Sequence, residues 1–183
     1  MKKKFNPARK VVTGEDTLFS YLHVIEREVN NGVPGKYSAS LLIPKTDTVT
    51  LAKVQAGIKA AMEDGRDILG PDPEKINNPL HDGDKKNPPD PDYKGYWYLS
   101  AKSDRKPRVV DRHKKDIEDP NEIYSGMFGR ASITFYPYSS NGNRGVGCGL
   151  NSLQKLRDGR PLGGYSRPEE DYPDEEEDDD FLL

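Results

Sequence analysis

The sequence contains one cysteine, three histidines and no long apolar segment. The single cysteine, Cys148, excludes an intramolecular disulfide and is typical of a protein in a reducing compartment. No apolar run approaches the roughly 18–20 residues that span a bilayer. The lysines at the N-terminus are not followed by the apolar stretch of a signal peptide. These absences predict a cytoplasmic protein that does not associate with membranes.

The chain also lacks the residue patterns of a metal site or a catalytic centre. His23, His81 and His113 are isolated, with no second His or Cys at the spacing of zinc ligands. Asp82 and Asp84 resemble the start of a calcium-binding loop, but the glycine and glutamate required further on are missing. Outside the C-terminus the carboxylates are scattered, whereas a nuclease needs them clustered. We therefore expect no cofactor, no metal and no enzymatic activity.

Acidic residues are concentrated at the C-terminus. Residues 168–183 contain ten acidic and no basic residues and end in Phe181, Leu182 and Leu183. Residues 1–167 then carry 28 Lys and Arg against 21 Asp and Glu, a net charge of +7. Like charges at the density of this tail repel one another and leave little to bury, which predicts disorder. The chain is thus divided into one folded basic domain, 1–167, and an acidic tail, 168–183.

The tail is interpreted as an internal counter-ion of the basic domain. Sixteen extended residues reach on the order of 50 Å, so the tail can cover a basic groove and compete there with nucleic acid. A tail that serves only solubility has no need of an apolar end, which we expect to bind a partner protein. The predicted partner-binding residues are Asp178, Asp179, Asp180, Phe181, Leu182 and Leu183.

Alternating apolar and polar residues predict strands on both sides of one helix. Residues 11–29 are predicted to form one strand, or two strands broken near Gly14. A turn at 31–35 leads into a second strand over 36–44, which completes a hairpin. Further strands are predicted over residues 96–102, 108–112, 129–136 and 144–154. Asn141-Gly142-Asn143 predicts a tight turn between the last two.

The single predicted helix covers about residues 48–64. Asp47 or Thr46 can cap it and Gly65 can end it. Its apolar face consists of Leu51, Val54, Ile58, Ala61 and Met62. A long loop, 70–95, follows and contains six prolines. In the last strand Gly145, Gly147 and Gly149 alternate, which predicts a sharp bend or the close approach of another group. The sum favours a mainly β fold, a small closed five-stranded barrel with one inserted helix, with a β-sandwich as the alternative.

Basic and aromatic residues are interleaved between residues 94 and 144. Cations track phosphates and release counterions, while flat rings stack on bases with little sequence preference. The residues predicted to bind phosphate are Lys94, Lys102, Arg105, Lys106, Arg108, Arg112, Arg130 and Arg144. The residues predicted to stack on bases are Tyr96, Trp97, Tyr98, Tyr124, Phe128, Tyr136 and Tyr138, although each ring alone is as consistent with the barrel core. In the strand at 96–102, Trp97, Leu99 and Ala101 are expected to point to one side, and Tyr96 and Tyr98 to the other.

Three long segments resemble a family of bacteriophage and prophage single-stranded DNA-binding proteins. They are Lys36-Tyr-Ser-Ala-Ser-Leu-Leu-Ile-Pro-Lys-Thr-Asp47, Tyr124-Ser-Gly-Met-Phe-Gly-Arg-Ala-Ser-Ile-Thr-Phe-Tyr-Pro-Tyr138 and Gly147-Cys-Gly-Leu-Asn-Ser-Leu-Gln-Lys-Leu-Arg-Asp-Gly159. The resemblance implies an OB-fold, a place in phage DNA replication and recombination within the host bacterial cytoplasm, and a tail that recruits replication proteins. The chain departs from similar tails in that Phe181 is followed by two leucines.

The sequence therefore predicts a protein that coats and protects single-stranded DNA without sequence preference in replication, recombination and repair. A homo-oligomer, binding of duplex DNA and a preference for DNA over RNA are left open. The alternatives are a protein-interaction or virion-assembly module that uses the loop 70–95, and a nuclease or annealing-coupled recombination factor.

Overall fold

The computed structural model describes residues 4–162 and Tyr172. Over these residues the chain forms ten strands, two helices and five 3-10 turns. The strands are β1 (Lys10–Val12), β2 (Thr17–His23), β3 (Val29–Asn30), β4 (Val33–Pro34), β5 (Tyr37–Pro44), β6 (His81–Asp82), β7 (Tyr96–Ser103), β8 (Arg108–Val110), β9 (Phe128–Ser140) and β10 (Asn143–Arg157). The helices are α1 (Thr48–Asp64) and α2 (Arg66–Leu69). The 3-10 turns are Pro7–Arg9, Pro73–Lys75, Gly83–Lys85, Pro91–Tyr93 and Pro120–Glu122.

Five of the strands close into a barrel. The order β9–β2–β5–β7–β10 returns to β9 because β9 pairs with both β2 and β10. The contact between β7 and β10 is parallel, and the other four contacts of the ring are antiparallel. Outside the ring, β1 pairs with β9, β8 with β10 and β6 with β7. The predicted five-stranded, OB-fold-like barrel is confirmed, and a β-sandwich is excluded by the closed ring.

The barrel interior is filled by the apolar residues that alternate along each strand. The buried residues of β7 and β9 alternate with more exposed ones, as the period of two requires, whereas all six residues of β5 from Ser38 to Ile43 are buried. The largest fully buried side chains of this core are Phe19, Leu41, Ile43, Leu99, Met127, Ile133 and Phe135. Cys148 lies among them at 4% exposure, and burial raises the pKa of its thiol to about 12. The cysteine is therefore a small core residue.

Helix α1 has the predicted bounds and packs against β1, β9 and β10. Asp47 caps it, since its carboxylate accepts hydrogen bonds from the backbone N–H and the hydroxyl of Thr50 at 3.1 and 2.6 Å. On the inner face Gly57 allows the helix to approach the barrel closely. A Cβ atom at this position would lie 2.8 Å from the Phe135 ring and 2.9 Å from Val11.

The alternating glycines of β10 make room for two groups outside the barrel. The Tyr136 ring of β9 covers Gly147, where an added Cβ would overlap the ring. Asn77 pairs with Gly145 through two backbone hydrogen bonds of 2.9 and 3.1 Å to Arg144 and Val146. Of the two expectations for this strand, the close approach of other groups is therefore the correct one.

Candidate nucleic-acid interface

The seven strands of three or more residues contain no carboxylate. They carry seven basic residues, Lys10, Lys102, Arg108, Arg130, Arg144, Lys155 and Arg157. Among the described residues, Asp and Glu lie in loops, in helices and in β6. The barrel wall therefore presents cations and neutral side chains to a polyanion, while the carboxylates surround it.

A groove lies on the outer face of β2, β5 and β7. It has a volume of about 320 Å³. Its floor is made of small hydroxyl side chains, since Ser38 and Ser40 of β5 face Lys102 and Ser100 of β7 in register. The other lining residues are Tyr21, His23, Glu28, Ala39, Lys86, Tyr93 and Tyr98. Flat rings, short hydroxyls and two lysines thus meet in one open depression, with Glu28 as the acidic residue in the lining.

Tyr21 reaches the mouth of the groove because strand β2 is irregular there. The register between β2 and β5 shifts between Ser20 and His23, and Tyr21 has a positive φ of 45°. A β-bulge of this kind re-aims a side chain, and a bulky residue with positive φ is strained. The ring of Tyr21 is 55% exposed. The fold therefore holds an apolar ring out toward solvent at some cost in backbone energy.

The groove rings form a connected set. The Tyr93 ring lies edge-on to Tyr98 at 5.0 Å between centroids and tilted to Tyr21 at 6.3 Å. On its other side Tyr98 contacts His81 at 5.2 Å with an interplanar angle of 33°. Tyr93 is buried, donates a 2.9 Å hydrogen bond to the Ser40 hydroxyl, and has its pKa raised by that burial. Tyr93 thus serves as the fixed support of the set, while Tyr21 is its exposed member.

Lys45 joins the loop that supplies Lys86 and Tyr93 to the barrel through two ion pairs, in addition to the pairing of β6 with β7. Lys45 Nζ lies 2.6 Å from a carboxylate oxygen of both Asp82 and Asp84, and 5.0 Å from the centre of the Trp97 ring. The Lys45 ammonium is the main cause that lowers the pKa of both carboxyls. Asp84 also accepts a 2.9 Å hydrogen bond from the Gly95 N–H. We call Lys45, Asp82 and Asp84 the clasp.

Of the seven rings predicted to stack on bases, Tyr98 lines the groove. Tyr96 and Phe128 lie on the same outer face, half-buried against Leu18, Leu42 and Leu162. Trp97 lies on the same face of β7 as Leu99, as expected, and is half-buried with Lys45 Nζ 5.0 Å from the centre of its ring. Tyr124 contacts the edge of the core, and its hydroxyl donates to the Asp158 carboxylate at 2.9 Å and accepts a 3.0 Å hydrogen bond from the Gly159 N–H. Tyr136 and Tyr138 lie on the outer side of the β9–β10 hairpin.

The eight predicted phosphate ligands are distributed more widely than the groove. Lys102 lines it, and Lys94, Arg105 and Lys106 are exposed in the segments that flank β7. The other four lie elsewhere on the surface, three of them with a contact of their own. Arg108 is paired with Asp116 at 2.8 Å, Arg112 donates to the Leu156 carbonyl at 3.1 Å, Arg130 lies 3.9 Å from Glu15, and Arg144 is exposed at the start of β10.

Sequence reasoning missed Tyr21, His23, Lys86 and Tyr93, together with the serines of the groove floor. The alternation Ser38, Ser40 in one strand and Ser100, Lys102 in the next was a usable signal for a face of small polar residues. The bulge that turns Tyr21 outward and the loop that brings Tyr93 over β5 have no local sequence signature. Contacts between Tyr93 and Ser40 span 53 positions.

The predicted partner-binding residues Asp178 to Leu183 lie outside the described residues, as does most of the segment 168–183. The described chain, however, leads up to the groove face. Leu162 is buried against Leu18, Leu42 and Tyr93, and its N–H donates to the Ser125 carbonyl at 2.9 Å. The continuous described chain therefore ends, at Leu162, in the cluster that contains Tyr93 of the groove.

The described residues contain neither a cluster suited to a metal ion nor a membrane-spanning helix. Within 4–162 and Tyr172, three or more His, Cys, Asp or Glu side chains are nowhere arranged to hold a metal ion. No helix in this part of the chain has the length and apolar character needed to cross a membrane.

The chain is similar to known phage proteins in sequence. The family model described as Enterobacter phage Enc34, ssDNA-binding protein, matches residues 9–182. Protein p50 of Acyrthosiphon pisum secondary endosymbiont phage 1 is 37% identical over 150 residues, which are 74% of this chain and 77% of that protein.

Solved structures of phage proteins share the fold. The single-stranded DNA-binding protein from bacteriophage Enc34 in complex with ssDNA has a TM-score of 0.73 at 24% identity, over 85% of this chain and 90% of that one. A further structure of the single-stranded DNA-binding protein from bacteriophage Enc34 gives a TM-score of 0.70 at 24% identity, over 90% and 89% of the two chains. Gp2.5, a single-stranded DNA-binding protein encoded by bacteriophage T7, gives 0.60 at 17% identity, over 91% and 99%.

Proposed function

Because the chain belongs to the family of the Enterobacter phage Enc34 ssDNA-binding protein, we propose that it binds single-stranded DNA without sequence preference. In this proposal it coats and protects the strand during phage DNA replication, recombination and repair, and it has no catalytic role. The observation that carries the proposal is the groove of rings, serines and lysines on a barrel whose strands lack carboxylates.

The groove offers the two interactions that sequence-tolerant binding requires. Tyr21 and Tyr98 provide ring faces, and stacking on such rings is worth about 1–3 kcal/mol per base whatever the base. Lys86 and Lys102 lie beside the rings, where they can neutralise phosphates and release counterions. The serine floor is too short to reach far into a base edge, so little in the groove selects one base over another.

The acidic tail is proposed to regulate this binding and to recruit other proteins. Ten carboxylates within residues 168–183 would compete with DNA phosphates for the same lysines. The position of Leu162 in one buried cluster with Tyr93 supports this role, since Leu162 lies beside the groove and close in sequence to the tail. DNA would displace the tail and free its apolar end for replication and recombination proteins.

The test is a fluorescence titration of labelled oligo(dT) at several salt concentrations. We expect tight binding whose log affinity falls with log salt by about 0.7 per phosphate contact. Oligo(dA) and oligo(dC) should bind within roughly tenfold of oligo(dT), since stacking is sequence-tolerant. Incubation with Mg²⁺ should leave the labelled strand intact on a denaturing gel. Absence of binding at low salt would reject the proposed function, and cleavage would reject its non-enzymatic part.

A further inference from the structure

The ring of Tyr136 is positioned for stacking on a different side of the barrel from the groove. Tyr136 pairs directly with Gly147 across β9 and β10. Its ring lies over Gly147, and a Cβ at Gly149 would be 3.8–4.0 Å from ring atoms on the other edge. One side of the ring is thus seated on two residues without side chains. The residue is still 40% exposed, so the opposite side faces solvent.

No ring or cation among the described residues contacts the Tyr136 ring and would compete there with a base. Among the described residues, the ring and cation–ring contacts involve Tyr21, His81, Tyr93 and Tyr98, and six cation pairs, but not Tyr136. Two other rings at the barrel surface have such a contact. Arg157 lies 4.3 Å from the Phe128 centroid, and Lys155 lies 5.1 Å from that of Tyr124. Tyr136 therefore differs from these rings in having an unoccupied face.

The surface between this ring and the groove is open. Lys102 lines the groove and is paired with Gly149, which in turn is paired with Thr134. Directly paired residues share a face of the sheet, so Lys102, Gly149 and Tyr136 lie on one continuous outer surface. Neighbouring strands are about 4.8 Å apart, which separates Lys102 from β9 by about 10 Å. The intervening residues of β10 are glycines, so no side chain blocks the route.

The charge of this route favours a phosphate backbone. β9 and β10 contain no Asp or Glu. Of their four cations, Arg144 is exposed, whereas Arg130, Lys155 and Arg157 lie 2.7–3.9 Å from carboxylates of neighbouring segments. Lys10 of β1 is exposed, is paired with Thr134 and lies on the far side of Tyr136 from the groove. A DNA strand that passed Lys102 would therefore approach Lys10 and would meet no carboxylate on β9 or β10.

We propose that single-stranded DNA leaves the groove past Lys102, crosses the glycines of β10 and stacks one base on Tyr136. This rests on the proposed function and extends it, since it gives the protein a bound strand that turns around the barrel. OB-folds commonly bind single-stranded nucleic acid on the face of their second and third β-strands. Tyr136 lies on β9, which is the fourth strand of the ring in chain order.

The test compares oligo(dT) of increasing length, from about four to about sixteen nucleotides, the range occupied by single OB-folds. In the full chain, Tyr136→Ala should leave the affinity for the shortest oligonucleotides unchanged. It should weaken binding of the longer ones roughly 5- to 100-fold, the loss expected for one stacked base. Tyr136→Phe retains the ring and should bind as the parent. Tyr136→Leu still covers the glycines but lacks a ring face, and should bind long oligonucleotides as weakly as the alanine variant.

A direct readout is ultraviolet cross-linking to oligonucleotides that carry 5-iododeoxyuridine at successive positions. We expect a cross-link to Tyr136 from an end position of long oligonucleotides and none from short ones. If long oligonucleotides bind Tyr136→Leu and the parent equally and no cross-link forms, the extended path is wrong while groove binding stands. If no oligonucleotide of any length binds the parent, both the path and the proposed function fail.

Discussion

Tyr21 shows how a single strained residue can serve binding. An exposed tyrosine with φ of 45° contributes little to the core and adds backbone strain. Its neighbours in the groove, Tyr93 and Tyr98, are by contrast supported on several sides. Residues held in such conformations cluster at binding sites, and Tyr21 is the position where the groove can be tested with least effect on stability.

We expect Tyr21→Ala to weaken oligo(dT) binding by roughly 5- to 100-fold, because one stacked base is worth about 1–3 kcal/mol. Thermal stability should not fall, since the ring is mostly exposed. The measurement is a fluorescence titration paired with a thermal melt. Tyr21→Phe, which keeps the ring, should bind as the parent, and so should Val49→Ala on α1, away from the groove strands. An unchanged affinity of Tyr21→Ala would remove this residue from the site.

At the residue scale, alternation predicted some side chains and could not predict others. It predicted that Leu99 and Ala101 share one face of the strand and that Tyr98 lies on the other, because a strand has only two faces. It could not separate Tyr98 in the groove from Tyr124, whose environment is set by Asp158 and Gly159 more than thirty positions away. A bulge such as that at Tyr21 depends on pairing with β5, which the residues around position 21 do not encode.

Among the elements, the loop 81–95 depends on the clasp. Both carboxyls of the clasp have pKa values lowered by Lys45, and Lys45 has its own pKa raised by them. The carboxyl contribution is complete above the ordinary value of 3.8 and is lost as pH falls through the lowered values. The lysine contribution is complete below 10.5 and is lost as pH rises through the raised value. The clasp is therefore intact between about pH 5 and pH 10.

Lys45→Met, which keeps the length of the side chain and removes its charge, should loosen this loop. We expect amide hydrogen exchange within residues 81–95 to become roughly two- to fivefold faster at pH 7, while the barrel strands keep their protection. Lys85→Met removes the same charge from an exposed neighbour and should leave exchange unchanged. Equal exchange in the Lys45 variant and the parent would contradict a fastening role.

At Gly57 of α1, helix propensity and packing against the barrel favour different residues. Alanine at a helix interior is favoured over glycine by about 1 kcal/mol, yet its Cβ would press on Phe135 and Val11, both buried. Overpacking a filled core costs about 1–3 kcal/mol, so packing should win. We expect Gly57→Ala to lower the free energy of unfolding by about 1–2 kcal/mol in urea titration. Gln55→Ala, exposed on the same helix, should not lower it, and a stabilised Gly57→Ala would show that the interface can yield.

The elements themselves were largely predictable. The bounds of α1 follow from a cap at Asp47, a glycine at 65 and an apolar face, all of which are local. The strands after residue 95 were predicted within a few residues for the same reason, and so was the break near Gly14. Closure of the ring was harder, because the contact of β7 with β10 consists of one pair of residues, Lys102 and Gly149, far apart in sequence.

For the whole molecule, the net charge of −3 is the sum of a basic domain, 1–167, and an acidic tail, 168–183. Residues 168–183 hold ten of the 31 carboxylates, and the strands of the barrel hold none. A formal pI near 5.7 would argue against binding a polyanion if the charges were mixed. Their separation along the chain is what permits a basic barrel inside an acidic protein.

A variant that ends at Arg167 should bind oligo(dT) more tightly than the full chain at low salt, by roughly tenfold or more, because a competing polyanion has been removed. The difference in affinity between the truncated and the full chain should decrease as the salt concentration rises, since salt screens the tail and the DNA alike. The matched control keeps the tail but replaces its ten acids by Asn and Gln, and it should behave as the truncated variant. Equal affinity of all three proteins would leave the tail without a part in DNA binding.

The buried thiol of Cys148 has a practical consequence for such experiments. With its pKa near 12 and 4% of its surface exposed, the sulfur is protonated and shielded, and maleimide reagents require an accessible thiolate. The folded natural protein is therefore not expected to react with maleimides. A cysteine placed at any exposed position would be the single reactive site, so that a fluorophore or spin label can be attached there without first replacing a native residue.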